Sequence, residues 1–292
     1  MDETRVEKSL KLAIVITALG FIVEVVGGLV SGSLSLLGDA GHMLRDVFAL
    51  LISLAALDLS KKLPTAKKTF GYHRTEIFAA FINGLLLVGI SVWIFWEAYQ
   101  RFSAPRPVRS VTMFAVALIG LLANLYIMFR LRGSRDLNVR SAFIHVLTDA
   151  LSSVAVMAAS IWIFFTGETI VDPILGLAIA VFILLSALTI IRDSAHILLE
   201  YTPRNVSLED VIRDIEGVSG VGGVHDVHLW TLCSNINMID AHIFTKERDV
   251  FRIEIIKGEI KRRLEKYNIK HATLEFECEE CADIDWVKKM EH

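Results

Sequence analysis

Apolar residues fall into six long runs over the first two thirds of the chain and into short alternating runs over the last third. The six runs extend roughly from Leu10 to Val30, Leu34 to Leu57, Ile77 to Tyr99, Val111 to Leu131, Phe143 to Thr166 and Pro173 to Ile191. Each has about the 20 apolar residues that a helix needs to cross a hydrocarbon core about 30 Å thick. Short polar loops separate them, several marked by Gly32, Pro105, Pro107 or Gly167. The first run lacks a small-residue cleavage site and further runs follow it, so it reads as a retained helix and not a removed signal peptide. Beyond it all, the pattern changes. Ser207-Leu-Glu-Asp210 has the form of a capping box, and Gly217 can close the helix it starts. Val224 to Leu232 and Asn237 to Thr245 alternate polar and apolar residues, as strands do. Asp249 to Lys266 carries Ile253, Ile256, Ile260 and Leu264 on one helical face, and His271 to Glu277 reads as a last strand. The pattern predicts an α-helical membrane protein with six transmembrane helices over residues 1–200, then a two-layer α+β domain of order αββαβ over residues 201–292.

Composition agrees with this division. Of 292 residues, 53% are hydrophobic and only 22% charged, which excludes a disordered chain and an ordinary soluble globule. Residues 1–200 hold 17 basic and 15 acidic side chains; the remaining 92 hold 13 and 18, so half the charge sits in the last third. A net charge of −3 argues against a nucleic-acid binder. Three cysteines cannot form a disulfide framework and point to a reducing compartment. The basic residues also orient the chain. Arg5, Lys8 and Lys11 precede the first span; Lys61, Lys62, Lys67, Lys68 and Arg74 fill the second loop; Arg130, Arg132, Arg135 and Arg140 flank the fourth. Only the third loop dissents, with Arg101, Arg106 and Arg109. The majority places both termini and the tail domain in the cytosol, which an even number of spans requires.

Ionisable groups inside a span cost about 2.5–3.5 kcal/mol each on insertion scales, so their positions carry information. Span two contains His42-Met-Leu-Arg-Asp46 and span five contains His145-Val-Leu-Thr-Asp149. The i to i+4 spacing puts each His and Asp on one helix face. Two such helices packed together would aim two imidazoles and two carboxylates at one point, a set that suits tetrahedral Zn²⁺. Imidazole argues against Mg²⁺ and Ca²⁺, and the lack of thiolate against Cu⁺. One such pair would serve equally as a structural link between helices; two at identical spacing in different spans favour a metal site. Asp39, one turn before His42, reads as a second-shell acceptor for an imidazole N–H. Glu24, Asn83 and Asn124 read as interhelical hydrogen-bonding groups, with the lining of a water-filled cavity as the second reading. Glu97 reads as interfacial, and Trp93 and Trp96 as belt and packing residues.

At these residues the sequence resembles the cation diffusion facilitator family of divalent-metal/proton antiporters. The resemblance rests on Ser33-Leu-Ser-Leu-Leu-Gly-Asp-Ala-Gly-His42, on Phe70-Gly-Tyr-His-Arg-Thr-Glu76 followed by Ala79-Ala-Phe-Ile-Asn83, and on Leu137-Asn-Val-Arg-Ser-Ala-Phe-Ile-His145. Asp172-Pro173 and Val224-His-Asp-Val-His-Leu-Trp230 extend it over nearly the whole chain. It implies six spans, a cytosolic domain of ferredoxin-like or metallochaperone-like fold, and a homodimer with one transport site per protomer between spans two and five. Carried over by position, the transport ligands are His42, Asp46, His145 and Asp149, the residues the spacing had picked. A two-His, two-Asp set implies a zinc-type member. Arg45 departs from the small polar residue expected there; a guanidinium beside the ligands would lower metal affinity unless it turned to the cytosolic side or paired with an acid such as Asp39. In the tail, the resemblance implies a regulatory metal on His225, His242 and Glu277 at the dimer interface, with His271 and Glu275 as secondary candidates. It also places a transient metal at His73, on the rim before span three. Cys278-Glu-Glu-Cys281 has the gap of half a zinc knuckle, with a redox pair as the other reading. Cys233 reads as a small buried hydrophobe.

These readings predict a secondary transporter, not an enzyme, in the cell inner membrane. It exports Zn²⁺, and by extension Cd²⁺, Co²⁺ or other divalent transition metals, against inward proton flow. The tail binds regulatory zinc. Two rivals remain: a membrane-anchored metal sensor, whose spans would need no ligand pairs, and an intramembrane zinc hydrolase, which would need an open coordination position and a general base.

Overall fold

The computed structural model describes residues 3–60, 64–131, 137–233, 236–279 and 285–287, with side chains from residue 15 onward except 53, 56–58, 60, 130, 131 and 137–145. Six long helices come first: α1 (Glu3–Ser31), α2 (Leu34–Ser60), α3 (His73–Ser103), α4 (Ser110–Leu131), α5 (Leu137–Thr166) and α6 (Val171–Leu198). Among the described residues four stretches are long and apolar enough to cross a membrane: His73–Ser103, Ser110–Phe129, Val146–Thr166 and Val171–Leu198. Val15–Ser31 is a shorter apolar helix, and α2 carries Asp39, Arg45 and Asp46 within about two turns. Several helices outrun the apolar runs that announced them; α1, α3 and α5 begin several residues earlier, and α6 ends later. Hydropathy marks the part of a helix that sits in hydrocarbon, whereas backbone hydrogen bonding continues into polar residues on either side. Apolar side chains such as Leu19, Leu122, Trp96, Phe164 and Leu185 are exposed on these helices, as expected of a lipid-facing surface.

Contacts divide the chain into two compact units, one of Met1–Asp58 with Ala80–Ile191, the other of Leu59–Ala79 with Arg192–His292. In the first unit, α1 passes into α2 through a turn where Gly32 takes φ +73, a conformation that costs a residue without Cβ little. The start of α2 is capped from a distance. Asp172, fully buried at the start of α6, accepts from the backbone N–H groups of Leu34 (2.7 Å) and Ser35 (3.1 Å) and from the hydroxyls of Ser33 (2.6 Å) and Ser35 (2.7 Å). These are helix N-terminal donors that nothing in the helix itself can satisfy. Arg101 of α3 adds a charged contact to Asp172 at 3.3 Å and donates to the Gly32 carbonyl at 2.5 Å. Gly176 lets α6 come this close, since a Cβ there would stand 3.2 Å from the Ser35 nitrogen.

The same corner holds Glu97, near the end of α3. It is buried and ion-paired with Arg101 at 3.0 Å and Arg106 at 2.7 Å. A carboxylate flanked by two guanidiniums can be withdrawn from water because its charge is matched on the spot.

The second unit contains α7 (Leu208–Glu216), β1 (Gly223–Cys233), β2 (Ile236–Phe244), α8 (Val250–Leu264), a single 3₁₀ turn (Glu265–Tyr267) and β3 (Ile269–Glu277). The order αββαβ is the one the alternation predicts. Ser207 caps α7 by accepting from Asp210 N, and Gly217 closes it. The sheet runs β1-β2-β3, antiparallel between β1 and β2 and parallel between β2 and β3. Val211, Ile212 and Ile215 of α7 and Ile256, Ile260 and Leu264 of α8 bury themselves against Leu229, Ile239, Ala241 and Ile243 of the sheet. The strands' other face is left to polar groups, among them His225 and His242.

Candidate metal centres

Helix periodicity places His42 and Asp46 on one face of α2, and α5 brings Asp149 to meet them. His42 Nε2 lies 3.2 Å from Asp149 Oδ1. One ligand atom from each of His42, Asp46 and Asp149 falls within 4.8 Å of the others. Ligand atoms around tetrahedral Zn²⁺ are about 3.3 Å apart, given metal–ligand bonds of about 2.0–2.1 Å, so these three need to close only slightly on an ion. His42 is buried and the two carboxylates are half-buried. All three line a cavity of about 500 Å³ together with Glu24, Asp39 and Asn124. His145 is on α5, one turn before Asp149, with its side chain outside the described residues.

The surroundings fix this cluster. Asp39 accepts from the Ser152 hydroxyl of α5 at 2.6 Å, so its described hydrogen bond joins the two site helices and does not run to an imidazole. Ser152 and Ser153 both donate to the Asp149 carbonyl, at 3.0 and 3.1 Å. Phe182 of α6 packs its ring against His42, with centroids 5.8 Å apart. Glu24 faces the same cavity, buried, and its Oε2 has no hydrogen-bond partner among the described residues. Glu24 thus follows the second reading, that of a cavity-lining group, more than the interhelical one. Asn124 also lines the cavity, whereas Asn83 is buried elsewhere.

Arg45 neither turns away nor pairs with Asp39. Its Nε and Nη2 each lie 3.2 Å from Asp46 Oδ1, its Nη2 lies 3.4 Å from His42 Nε2, and its Nη1 donates to Ser186 of α6 at 2.7 Å. The serine on α6 draws the guanidinium sideways, and that path runs past Asp46.

The tail holds a second cluster. His225 of β1 and His242 of β2 are directly paired across the antiparallel ladder. Their rings meet edge to face with centroids 5.4 Å apart. Glu277, at the end of β3, reaches both: Oε2 is 3.1 Å from His225 Nε2 and Oε1 is 2.7 Å from His242 Nδ1. One ligand atom from each of the three lies within 4.8 Å of the others. His225 is buried, not a surface histidine. Glu275 approaches His242 Nε2 at 3.6 Å. Asp226 joins at 3.9 Å, although in a regular strand it would point to the face opposite its neighbour His225. It is turned by a β-bulge, with φ +49 and a register shift between His225 and His228.

The remaining candidates stand apart. Cys278 is exposed just past β3, its thiol directed at the Glu247 carbonyl at 3.5 Å, and Cys281 lies outside the described residues. His271 packs edge-on against Phe70. His73 places Nδ1 3.7 Å from Cys233 Sγ, and Cys233 is buried as expected. Away from the clusters, Glu259 on α8 is held at about 2 by hydrogen bonds from Arg262 and Arg263. Hydrogen bonds from Lys266 and Tyr267 likewise hold Asp214 below its usual range.

Comparison with known proteins assigns the class. Residues 10–199 match the cation efflux transmembrane domain, and residues 203–279 match the cytoplasmic domain of cation efflux proteins. A cadmium, cobalt and zinc/H(+)-K(+) antiporter of Bacillus subtilis is 40% identical over 263 residues, covering 88% of this chain and 85% of its own. Zinc transporter ZitB of Pectobacterium atrosepticum is 42% identical over 281 residues (94% and 87%), and metal cation efflux system protein CzcD of Cupriavidus metallidurans 39% over 282 (96% and 89%). The fold and these matches define a helical membrane transporter and not an enzyme. The chain belongs to the cation efflux family, the cation diffusion facilitators.

Proposed function

We propose that this protein exports Zn²⁺ from the cytosol in exchange for protons, using His42, Asp46, His145 and Asp149 between α2 and α5. The observation that carries the reading is the convergence of His42, Asp46 and Asp149 at the wall of a cavity within the helical unit. The substrate class is that of the named relatives, which handle zinc, cadmium, cobalt and protons. The donor set explains the exchange. Imidazole binds metal only when neutral and carboxylate only when ionised, so metal entry releases protons and protonation releases metal.

In this reading residues 1–200 are the transport domain and residues 201–292 a regulatory and dimerisation domain in a homodimer. Both termini lie in the cytosol, in the inner (plasma) membrane. That orientation follows the majority of the Lys and Arg residues in the loops, with Arg101, Arg106 and Arg109 against it. Regulatory zinc binds His225, His242 and Glu277, with Asp226 in reach as a fourth ligand, and His73 serves as a rim position for passing metal.

Proteoliposomes with an acidic interior test the proposal and rank its metals. Zn²⁺ is expected to accumulate in a manner that collapses with the pH gradient, with Cd²⁺ and Co²⁺ following and Mn²⁺ behind. Metal binding without gradient-dependent accumulation would favour the membrane-anchored sensor instead.

A further inference from the structure

Arg45 sits where a transport site for a dication should least tolerate it. The groups proposed to hold the metal are His42, Asp46, His145 and Asp149, and Arg45 touches two of them, His42 and Asp46. Its Nε and Nη2 converge on one oxygen, Asp46 Oδ1, at 3.2 Å each. The Nη2 also stands 3.4 Å from His42 Nε2, the same ring nitrogen that lies 3.2 Å from Asp149 Oδ1. The guanidinium thus occupies the company a metal ion would keep.

Its other end is anchored differently. Nη1 donates at 2.7 Å to Ser186 on α6, an element that contributes none of the proposed ligands. One arm of the guanidinium therefore holds a carboxylate of the site, while the other already holds a neutral hydroxyl outside it. A guanidinium keeps its charge at any working pH, so proton flow cannot remove it. It can only be moved, and the stem of an arginine is long enough to swing while the Ser186 contact holds.

We infer that Arg45 is a tethered counter-cation of the transport site: it neutralises Asp46 when the site is empty and must be displaced toward Ser186 when metal enters. The inference rests on the metal-site reading above. Two consequences follow from electrostatics. Metal binding is weakened, because the ion must break the Arg45–Asp46 contact and then tolerate a positive neighbour in a medium of low dielectric. Metal release is eased, because the guanidinium can return to Asp46 as the ion leaves and so spares a half-buried carboxylate from standing uncompensated. A transporter gains turnover from a site that does not hold its cargo too tightly, and Arg45 supplies this without using a proton.

The test compares full-length wild type, Arg45→Thr, Arg45→Lys and His42→Ala, titrated with Zn²⁺ by calorimetry and assayed for flux in proteoliposomes. All variants carry His225→Ala and His242→Ala, which silence the tail cluster. Arg45→Thr is expected to bind Zn²⁺ about tenfold or more tightly, with a lower KM and a lower kcat. Arg45→Lys keeps the charge without the two-pronged contact and is expected to fall between. An unchanged or weaker affinity in Arg45→Thr, in protein that elutes as wild type does, would overturn the inference. His42→Ala separates the two claims: if it binds and carries Zn²⁺ as wild type does, the metal-site reading itself fails; if it loses both while Arg45→Thr leaves affinity unchanged, only the role of Arg45 fails.

Discussion

The Nε2 of His42 and the Oδ1 of Asp149 stand 3.2 Å apart, and through them α2 and α5 meet at a polar point inside the helical unit. If His42 is a ligand, as proposed, its imidazole disfavours hard cations, which prefer oxygen. His42→Asp is then expected to raise Mn²⁺ transport relative to Zn²⁺ by about tenfold. Competition flux assays with paired metals read this ratio directly; an unchanged ratio would remove His42 from the coordination shell.

Asp172 ties three helices at one corner, and its carboxylate is surrounded by donors from Ser33, Leu34, Ser35 and Arg101. Removing it leaves the start of α2 uncapped and takes one of two carboxylate partners from Arg101, which keeps Glu97. Asp172→Ala is expected to cost about 3–5 kcal/mol, the usual penalty for breaking one side of a buried ion pair. Asp172→Asn, which retains part of the cap, should cost less. Thermal unfolding of the purified protein in detergent gives the comparison.

The tail cluster predicts that zinc stiffens the second unit. Zn²⁺ at about one hundred times its dissociation constant should add about 2.7 kcal/mol of stability to the tail. His242→Ala and Glu277→Gln should each abolish that gain while leaving the metal-free melting temperature near wild type. Because Asp226 approaches His242 from a bulge, Asp226→Ala should weaken the gain without removing it. Melting curves with and without zinc decide all three, and a full gain in His242→Ala would dismiss the cluster as a metal site.

Acid should loosen α8 in a defined window. Glu259 sits at about 2, below its ordinary 4.5, because Arg262 and Arg263 bond its ionised form. A carboxylate whose value falls on folding stabilises the fold above its unfolded value and loses that contribution as pH falls toward the folded one. Glu259→Gln should therefore lower the tail's melting temperature slightly at pH 7 and not at all near pH 2. The effect is small because the pair is exposed and screened. An equal difference at both pH values would contradict the assignment.

Six helices and the αββαβ order were legible because length and alternation of apolar residues are local properties. His42, Asp46 and Asp149 were legible for the same reason: i, i+4 spacing fixes a helix face before any neighbour is known. What escaped depends on contacts far apart in the chain. Asp172 of α6 caps α2, with three helices between them in the chain, and Glu97 is buried because Arg101 and Arg106 surround it. Asp226 escaped for a local reason of another kind. A bulge breaks the two-residue period, so a regular alternation could not have placed it beside His225. Arg45 stood out as a departure, yet its pairing with Asp46 could be seen only once α6 supplied Ser186.

The most direct test of the central claim follows zinc and protons together. Proteoliposomes carrying one dye for Zn²⁺ and one for pH inside should show internal pH rising in step with zinc entry. Asp149→Ala should abolish both signals in protein that still folds. Zinc entry without a pH change, or undiminished exchange in Asp149→Ala, would contradict the account.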